Sequence, residues 1–441
     1  MGERADVTGE ELVLVHLLNA PKGSEAERNP SLTQTGIADH TGLERSYVSV
    51  LLGKITEGGL AERTLDRVKG SRRKVGVFSL TPHGFERALS IKQRLMSSPV
   101  AVKIDGKVRE LELREALKLF SGESAASLVS KSQLGTLDAS AGEPIADEIS
   151  RAQKLLDADR QDDCAALVCG CANRWIRAGH HEEFLLISSA IDKSRVPACD
   201  AAALLLADAD VHEVRGDWER ARLCLETVES DEASTRAEVL FRLGVLAYRK
   251  DDAGSARDLY LRALALAGKG EPIRGRILNA VGVLAWSKGQ ASEAAARYAE
   301  AEKLALETRD AEGLMRVRSN LGILATDAGD RAKAIDYYGK AITVAEAISD
   351  LNTVSSLYSN VGDVYAAKGD KAEALRFYGR SMALAEKLAF TWQIAELHRS
   401  LAAITKGVER EGHLSRALEL FEKLGAESDA FKVKEMMGEK L

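Results

Sequence analysis

Four segments of this chain repeat one pattern of small and aromatic residues, and this pattern restricts the possible folds more than any other feature. A glycine opens each pattern, an alanine follows twelve positions later, and a tyrosine lies four positions beyond the alanine. The residues are Gly244, Gly282, Gly322 and Gly362, Ala256, Ala294, Ala334 and Ala374, and Tyr260, Tyr298, Tyr338 and Tyr378. Residues four apart share one face of a helix, and a small residue lets a second helix approach closely. The spacing therefore predicts helical hairpins, with each glycine facing the alanine and tyrosine of the second helix.

Weaker copies of the pattern extend it in both directions. Alanine replaces the glycine in two earlier copies and one later copy, and the later copy has a lengthened turn. These copies contain Ala172 with Phe184, Ala209 with Ala221, and Ala402 with Ala417 and Phe421. Together the copies make about seven units, and each unit exposes an apolar face that only its neighbour can cover. The sequence predicts an α-solenoid over 148–441, closed by a capping helix at Ala426–Met437.

This pattern resembles tetratricopeptide repeats, in a variant with longer helices, over roughly 148–437. Such arrays bind a protein or peptide in a groove lined mainly by the first helix of each pair. The resemblance implies groove positions at Asn173, Arg177, Asp210, Glu213, Arg249, Arg276, Asn279, Trp286, Arg316, Ser319, Asn320, Asn360 and Asp363. Asn320 and Asn360 match the asparagine with which some members hold a peptide backbone or carboxylate. A solvated surface is the alternative for each residue taken singly.

Five of these positions are expected to come together because they belong to neighbouring repeats. They are Arg249, Arg276, Asn279, Trp286 and Arg316. Three guanidinium groups beside an indole would suit an acidic or C-terminal segment of a partner.

Positive charge is concentrated near the N-terminus of a chain whose formal net charge is −6. Residues 30–100 contain 11 Lys and Arg against 6 Asp and Glu, so this segment carries +5 and the remainder −11. The stretch VKGSRRKVGVFSLTPHG (68–84) places four of the cations on one short turn. A basic domain on an acidic body is the pattern that needs an explanation.

The first hundred residues show an ordered series of elements. The apolar pattern of Gly9–Ala20 predicts a first helix, and Thr33 is placed to cap a second. Gly42 allows a tight turn before a third helix that buries Val48, Leu51, Leu52 and Ile55 and ends at Gly58-Gly59. Two alternating segments on either side of the basic turn predict a hairpin, and Thr81-Pro82 begins a last helix.

This order resembles winged-helix regulators of the MarR-like and related archaeal type, over Glu10 to Met96. The matching residues are Gly59-Leu60, the basic Arg72-Arg73-Lys74, and Phe78-Ser79-Leu80-Thr81-Pro82-His83-Gly84. The resemblance implies that the third helix enters the major groove of duplex DNA and that the hairpin contacts phosphates. The implied DNA-binding residues are Arg45, Ser46, Tyr47, Ser49 and Lys54 on the helix, and Lys69, Arg72, Arg73 and Lys74 on the hairpin. Glu44 does not suit phosphate, but it could cap the helix or accept a hydrogen bond from cytosine.

A connector separates these two regions. Alternating residues around Asp105-Gly106 predict a second hairpin, a short helix reaches Phe120, and Ser121–Pro144 is interpreted as a linker with one helix near Ala125–Ser132. The expected fold is mostly α, in three parts: a winged helix-turn-helix domain at 1–98, a hairpin, short helix and linker at 99–147, and the solenoid at 148–441. A homodimer is possible, since DNA readers of this class usually pair two heads.

We expect no enzyme and no cofactor, because no phosphate-binding GxxxxGK[ST] loop and no catalytic triad pattern occurs. Cys164, Cys169 and Cys171 lack the spacing of a zinc site. No apolar run would span a membrane, and few cysteines fit a cytoplasmic protein. The leading hypothesis is a DNA-binding regulator whose array binds a protein or peptide. The alternatives are a scaffold in which both regions bind proteins, and a regulatory subunit of a separate ATPase or kinase.

Overall fold

A computed structural model describes residues 7–20, 28–71, 73–104, 107–120, 124–134, 136–138 and 144–438. The described residues are mostly helical. They divide into two compact units, one formed by 1–138 together with 305–441 and the other by 139–304. The predicted division at 98 and 147 stays a prediction.

The elements follow the chain in a regular order. The helices are α1 Gly9–Asn19, α2 Gln34–Thr41, α3 Arg45–Glu57, α4 Pro82–Met96, α5 Leu113–Leu119, α6 Ala125–Leu134, α7 Pro144–Asp157, α8 Gln161–Ala178, α9 His181–Ala190, α10 Ala198–Val214, α11 Trp218–Thr227, α12 Ala233–Arg249, α13 Ala253–Leu266, α14 Pro272–Ser287, α15 Ala291–Thr308, α16 Ala311–Asp327, α17 Arg331–Ala347, α18 Leu351–Lys368, α19 Lys371–Lys387, α20 Thr391–Ile404, α21 Gly407–Lys423 and α22 Glu427–Met437. A 3-10 turn lies at Pro30–Leu32. The strands are β1 Ala61–Asp66, β2 Val75–Leu80, β3 Pro99–Ile104, β4 Lys107–Glu112 and β5 Leu137–Asp138.

The N-terminal elements, which we call the head (the described residues of 7–138), lie where the sequence predicted them. Strands β1 and β2 form an antiparallel hairpin in which Ala61 pairs with Leu80 and Asp66 with Val75. The side-chain oxygen of Thr33 caps α2, and the side-chain oxygen of Thr81 caps α4. That these elements form a winged helix remains a prediction based on the resemblance.

One glycine in the Phe-x-Leu-Thr-x-x-Gly segment has a clear steric function. A Cβ atom on Gly84 would lie 1.7 Å from the carbonyl oxygen of Leu60. No atom can occupy that space, so only glycine permits α4 to start this close to the residue before β1. Gly84 thereby permits the close contact between the first turn of α4 and Leu60.

The connector differs from the prediction in one respect. Strands β3 and β4 pair as predicted, although the Asp105-Gly106 turn itself lies outside the described residues. The segment interpreted as a linker contains the predicted helix, α6, but α6 packs against α1 and α2, and the segment also contributes β5, which pairs parallel with β3. Ala125, Ala126, Leu128 and Val129 of α6 are buried. The helix itself was predicted, but its ten residues do not show which elements would cover its apolar side chains, so the burial was not foreseen.

The predicted helical hairpins are confirmed in atomic detail. Between 161 and 423 the described chain forms seven helix pairs, from α8 and α9 to α20 and α21. In four pairs, a Cβ atom on the first-helix glycine would lie within 2.4–2.7 Å of the tyrosine ring on the second helix. Those rings, at Tyr260, Tyr298, Tyr338 and Tyr378, are each only 2 % exposed. The glycine therefore provides the space that the ring fills.

Candidate functional site

Helix α3 presents its predicted DNA-binding residues to solvent. Its four apolar residues at helical spacing are buried, so the opposite face is left outside. That face carries the exposed residues Arg45, Ser46, Tyr47, Ser49 and Lys54. Glu44 occupies the N-cap position without a side-chain cap, and its carboxylate accepts a hydrogen bond from Ser46 at 2.8 Å instead. The predicted capping by the Glu44 side chain is therefore wrong.

The turn between β1 and β2 carries the predicted cations of the hairpin. Lys69, Arg73 and Lys74 are exposed, and Arg72 lies outside the described residues. The Ser71 hydroxyl donates to the carbonyl oxygen of Arg73 at 2.9 Å, which shapes this part of the turn. The structure therefore leaves these three cations accessible to a ligand.

An open cleft of about 690 Å³ lies between α3 and this hairpin. Arg45 and Ser49 line it from α3, and Arg63 lines it from β1. Arg63 reaches across Gly76, where a Cβ atom would lie 2.7 Å from its Nε atom. The sequence analysis missed Arg63, which pairs with Phe78 in the hairpin and extends its side chain diagonally over Gly76, the partner of Leu65. Glu57 is the carboxylate among the residues that line the cleft.

The predicted groove residues of unit 139–304 are largely engaged within the protein. The Arg249 guanidinium lies 4.6 Å from the centre of the Trp218 ring. Arg276 pairs with Glu238 and lies 5.3 Å from the Phe241 ring. Asn279 is half-buried, and Trp286 is 36 % exposed. The expected cluster of cations is therefore divided between separate partners, and Arg316 belongs to the other unit.

A buried arginine that the sequence analysis missed organises the predicted groove residues Asp210 and Glu213. Arg242 of α12 donates to Asp210 at 2.8 Å, to Glu213 at 2.6 Å and to the carbonyl oxygen of Leu206 at 2.9 Å. Burial raises the pKa of Asp210, and the positive charge of Arg242 opposes that rise. These carboxylates thus hold neighbouring first helices together and are not free to bind a ligand.

The remaining predicted groove residues have mixed surroundings. Arg316 is exposed and lies 3.9 Å from Glu312 of its own helix. Asp363 accepts a hydrogen bond from the Tyr378 hydroxyl at 2.6 Å, and burial raises the pKa of Asp363. Ser319, Asn320 and Asn360 are half-buried and Asn173 is exposed, whereas the Arg177 side chain lies outside the described part of the chain.

The head packs against the repeats within the unit formed by 1–138 and 305–441. Helix α4 of the head lies along α17. Glu86 of α4 pairs with Arg318, a residue only 6 % exposed, and Gln93 of α4 donates to Glu346 at 2.6 Å. The Tyr358 hydroxyl donates to the same Glu346 carboxylate at 3.0 Å. One surface of the repeats therefore binds a helix of this chain.

Helix α17 differs from α15 and α19 in a way that explains this packing. Ile342 and Ala347 of α17 are buried, whereas Lys387, which corresponds to Ala347, is exposed on α19. Glu302 stands at the α15 position that corresponds to Ile342. Part of this apolar surface was thus present in the sequence as a deviation between repeats, since Glu302 of α15 and Lys387 of α19 replace apolar residues of α17.

The structure gives no indication of a metal site or a membrane span in the residues that it describes. Among them, no group of three or more His, Cys, Asp and Glu side chains could hold a metal ion. Burial raises the pKa of the Cys164 and Cys169 thiols to about 11, so both thiols are protonated at neutral pH. Within these residues, no helix is both long and apolar enough to cross a bilayer.

Comparisons with known proteins support the repeat region. Residues 310–387 match the sequence model of the tetratricopeptide repeat family. No curated protein matches the chain.

Several solved structures match this chain at low identity. A Rap protein complexed with competence and sporulation factor is 14 % identical over 66 % of this chain and 96 % of its own, with a TM-score of 0.48. Aspartyl phosphate phosphatase F from Bacillus subtilis is 13 % identical over 68 % and 90 %, with a TM-score of 0.44. The anaphase-promoting-complex assembly Cut9–Hcn1 is 14 % identical over 76 % and 53 %, with a TM-score of 0.45. Likeness at this level indicates nothing about function.

Residues 310–387 are thus a tetratricopeptide repeat region, preceded by two helix pairs built on the same glycine and tyrosine seam.

Proposed function

We propose that this chain is a protein-interaction scaffold whose tetratricopeptide-like pairs bind a segment of a partner protein. The observation that supports it most is the packing of α4 on α17, where a repeat surface already holds a folded helix through Arg318 and Glu346. A stack of helix pairs offers many such surfaces, because each pair exposes side chains of both helices. The proposal includes no enzymatic activity and no cofactor.

Quantitative affinity purification from the source cells tests this function. Three baits are compared on the same cell extract. They are the full chain, the double variant Arg316→Ala/Asn360→Ala and the single variant Asn173→Ala. Partners that are enriched by the chain and lost from one groove variant would support the scaffold. Equal recovery by every variant and by an unrelated helical protein would contradict it.

We also propose a second function, the binding of duplex DNA by the head. Arg45 of α3, Arg63 of β1 and Ser71 of the β1–β2 turn line one open cleft, and the same turn carries three exposed cations, Lys69, Arg73 and Lys74. The residues that dock the head, Glu86 and Gln93, lie on α4 and not on this surface. The contacts that α4 makes with the repeats of the same unit therefore do not use the predicted DNA-binding surface. In its full form, this proposal is a cytoplasmic DNA-binding regulator that a partner of the repeats modulates and that pairs two heads as a homodimer.

Fluorescence anisotropy of the full chain on mixed-sequence duplex DNA tests the second function. If about four cations contact phosphates, log K should fall with log salt at a slope of about −3 to −4. The hairpin variant Arg72→Ala/Arg73→Ala/Lys74→Ala should lose most of this binding, and Arg63→Ala should weaken it too. A matched control, Lys387→Ala, removes a cation from α19 and should not. If the hairpin variant binds DNA as tightly as the parent chain, DNA binding by the hairpin is excluded and only the scaffold function remains.

A further inference from the structure

A largely apolar groove lies in unit 139–304, between α12 and α13 and beside the end of α11. Its volume is about 490 Å³. Val239 and Leu240 of α12 and Leu266 of α13 form its floor and are half-buried. An arginine lines it from each helix, Arg236 from α12 and Arg262 from α13. The groove thus combines apolar contact area with two cations.

The short helix α11 explains why this surface is open. Helix α11 has 10 residues, whereas α17 and α19 have 17 each. A loop takes the place of the last turns of α11, so α12, the first helix of the following pair, has no helix beside it there. Val239 is consequently half-buried, whereas the residues at its position in the following three pairs, Ile277, Val317 and Leu357, are buried. The apolar floor is therefore surface that the shorter repeat leaves uncovered.

The corresponding surface of another helix pair is occupied in this protein. Leu240 lies four residues before the seam glycine of its pair, and Arg318 lies four residues before the seam glycine of the α16–α17 pair. Arg318 receives Glu86 of α4, and α4 packs along α17. The chain thus shows which ligand this part of a repeat accepts: a helix that bears a carboxylate on its edge.

The two arginines that line the open groove have few carboxylates nearby to neutralise them. Arg236 forms no ion pair with the residues that the structure describes, and Arg262 lies 3.6 Å from the exposed Asp258 of its own helix. An exposed ion pair of this kind contributes little free energy. The acidic loop between α11 and α12 contains Glu229 and Asp231, which are not among the groove-lining residues. The groove can therefore attract carboxylates at two points.

We propose that this groove binds an amphipathic helix of a partner protein, with apolar residues against Leu240 and Leu266 and acidic residues facing Arg236 and Arg262. Helices that dock in grooves do so through apolar residues at i, i+3, i+4 and i+7. Charge-assisted hydrogen bonds from arginine to carboxylate fix their orientation. The inference rests on the proposed scaffold function and deepens it by naming the site and the class of ligand.

A phage-displayed library of helical peptides, selected on the full chain, tests the inference without knowledge of the natural partner. Selected peptides should share the apolar helical spacing and carry Asp or Glu on the edges. Their Kd should rise by about tenfold or more in Arg236→Glu/Arg262→Glu. Ala265→Glu should have the same effect, and because Ala265 is an exposed groove residue this change leaves the core intact. Arg316→Ala/Asn360→Ala should leave Kd unchanged.

Three results would overturn the inference. Peptides weakened only by Arg316→Ala/Asn360→Ala would move the binding site to the predicted groove and leave the scaffold function standing. Selection of basic peptides, or of none, would reject the acidic helix as ligand, while affinity purification reports separately on the scaffold. A concentration-dependent dimer that Ala265→Glu abolishes would place a second copy of this chain in the groove.

Discussion

The seam glycines offer the sharpest test of how the repeats are packed, and Gly322→Ala is the best single change. The added Cβ atom would lie 2.4 Å from Cε1 and 2.6 Å from Cδ1 of Tyr338. That ring is 2 % exposed and belongs to the packed seam between α16 and α17, so it has no open space to enter. Van der Waals contact requires about 3.5 Å or more, and the two helices must therefore separate by about 1 Å.

The magnitude follows from two opposing effects. Overpacking in a close-packed core costs about 1–3 kcal/mol, and a ring that cannot turn aside places this change near the upper value. Alanine recovers about 1 kcal/mol of helix propensity relative to glycine. The free energy of unfolding should therefore fall by about 2 kcal/mol. Gly339→Ala provides the matched control, because a Cβ atom on Gly339 of α17 meets nothing within 4 Å. That change should raise the stability by up to about 1 kcal/mol.

Urea denaturation followed by circular dichroism measures both variants against the parent chain. Opposite shifts of the midpoint, downward for Gly322→Ala and upward for Gly339→Ala, are expected. Should Gly322→Ala stabilise the protein as much as Gly339→Ala does, the seam would have to be loose enough to accept a methyl group. The packing explanation for the glycine and tyrosine repeat would then be refuted.

Three further predictions concern the head and its docking. Gly84→Ala should prevent the native packing of the head, because its Cβ atom would lie 1.7 Å from the Leu60 carbonyl oxygen, and amide hydrogen exchange in α4 should then lose its protection. Burial lowers the pKa of Lys92 to about 8. Between about pH 8 and 10.5 the unfolded chain therefore binds one more proton than the folded chain, and the free energy of unfolding should rise with pH across that window. The variant Lys92→Met should be more stable than the parent chain at pH 7 and should lack this rise when both are unfolded in urea at a series of pH values. Arg318→Ala removes the partner of the Glu86 carboxylate at the α4–α17 contact and should lower the melting temperature. Lys387→Ala breaks only an exposed ion pair and should change the free energy of unfolding by less than about 0.5 kcal/mol. Equal effects of the two changes would exclude Arg318 as a docking residue.

The repeat seam could be predicted from the sequence, because that seam depends on local periodicity. Residues such as Gly322, Ala334 and Tyr338 are close in sequence, and their helical spacing alone predicts which atoms meet. The elements of the head were also predictable, since Thr33, Gly42 and Thr81-Pro82 act on their own neighbouring residues. For the same reason, the exposed face of α3 could be named in advance from the apolar residues on its other side.

Which polar groups remain available and which surfaces are covered depends instead on how the folded elements pack in space. The groove prediction named Arg276 and Asp210 as ligand contacts, but Glu238 and Arg242 from neighbouring repeats engage them. Such partners lie about thirty or more residues away, and one sequence does not specify which long side chains meet. The packing of α4 on α17 joins residues more than two hundred positions apart, through surfaces whose complementarity arises only after both have folded. The open groove beside α11 likewise depends on where one helix ends relative to its neighbours, which is a property of their arrangement in space.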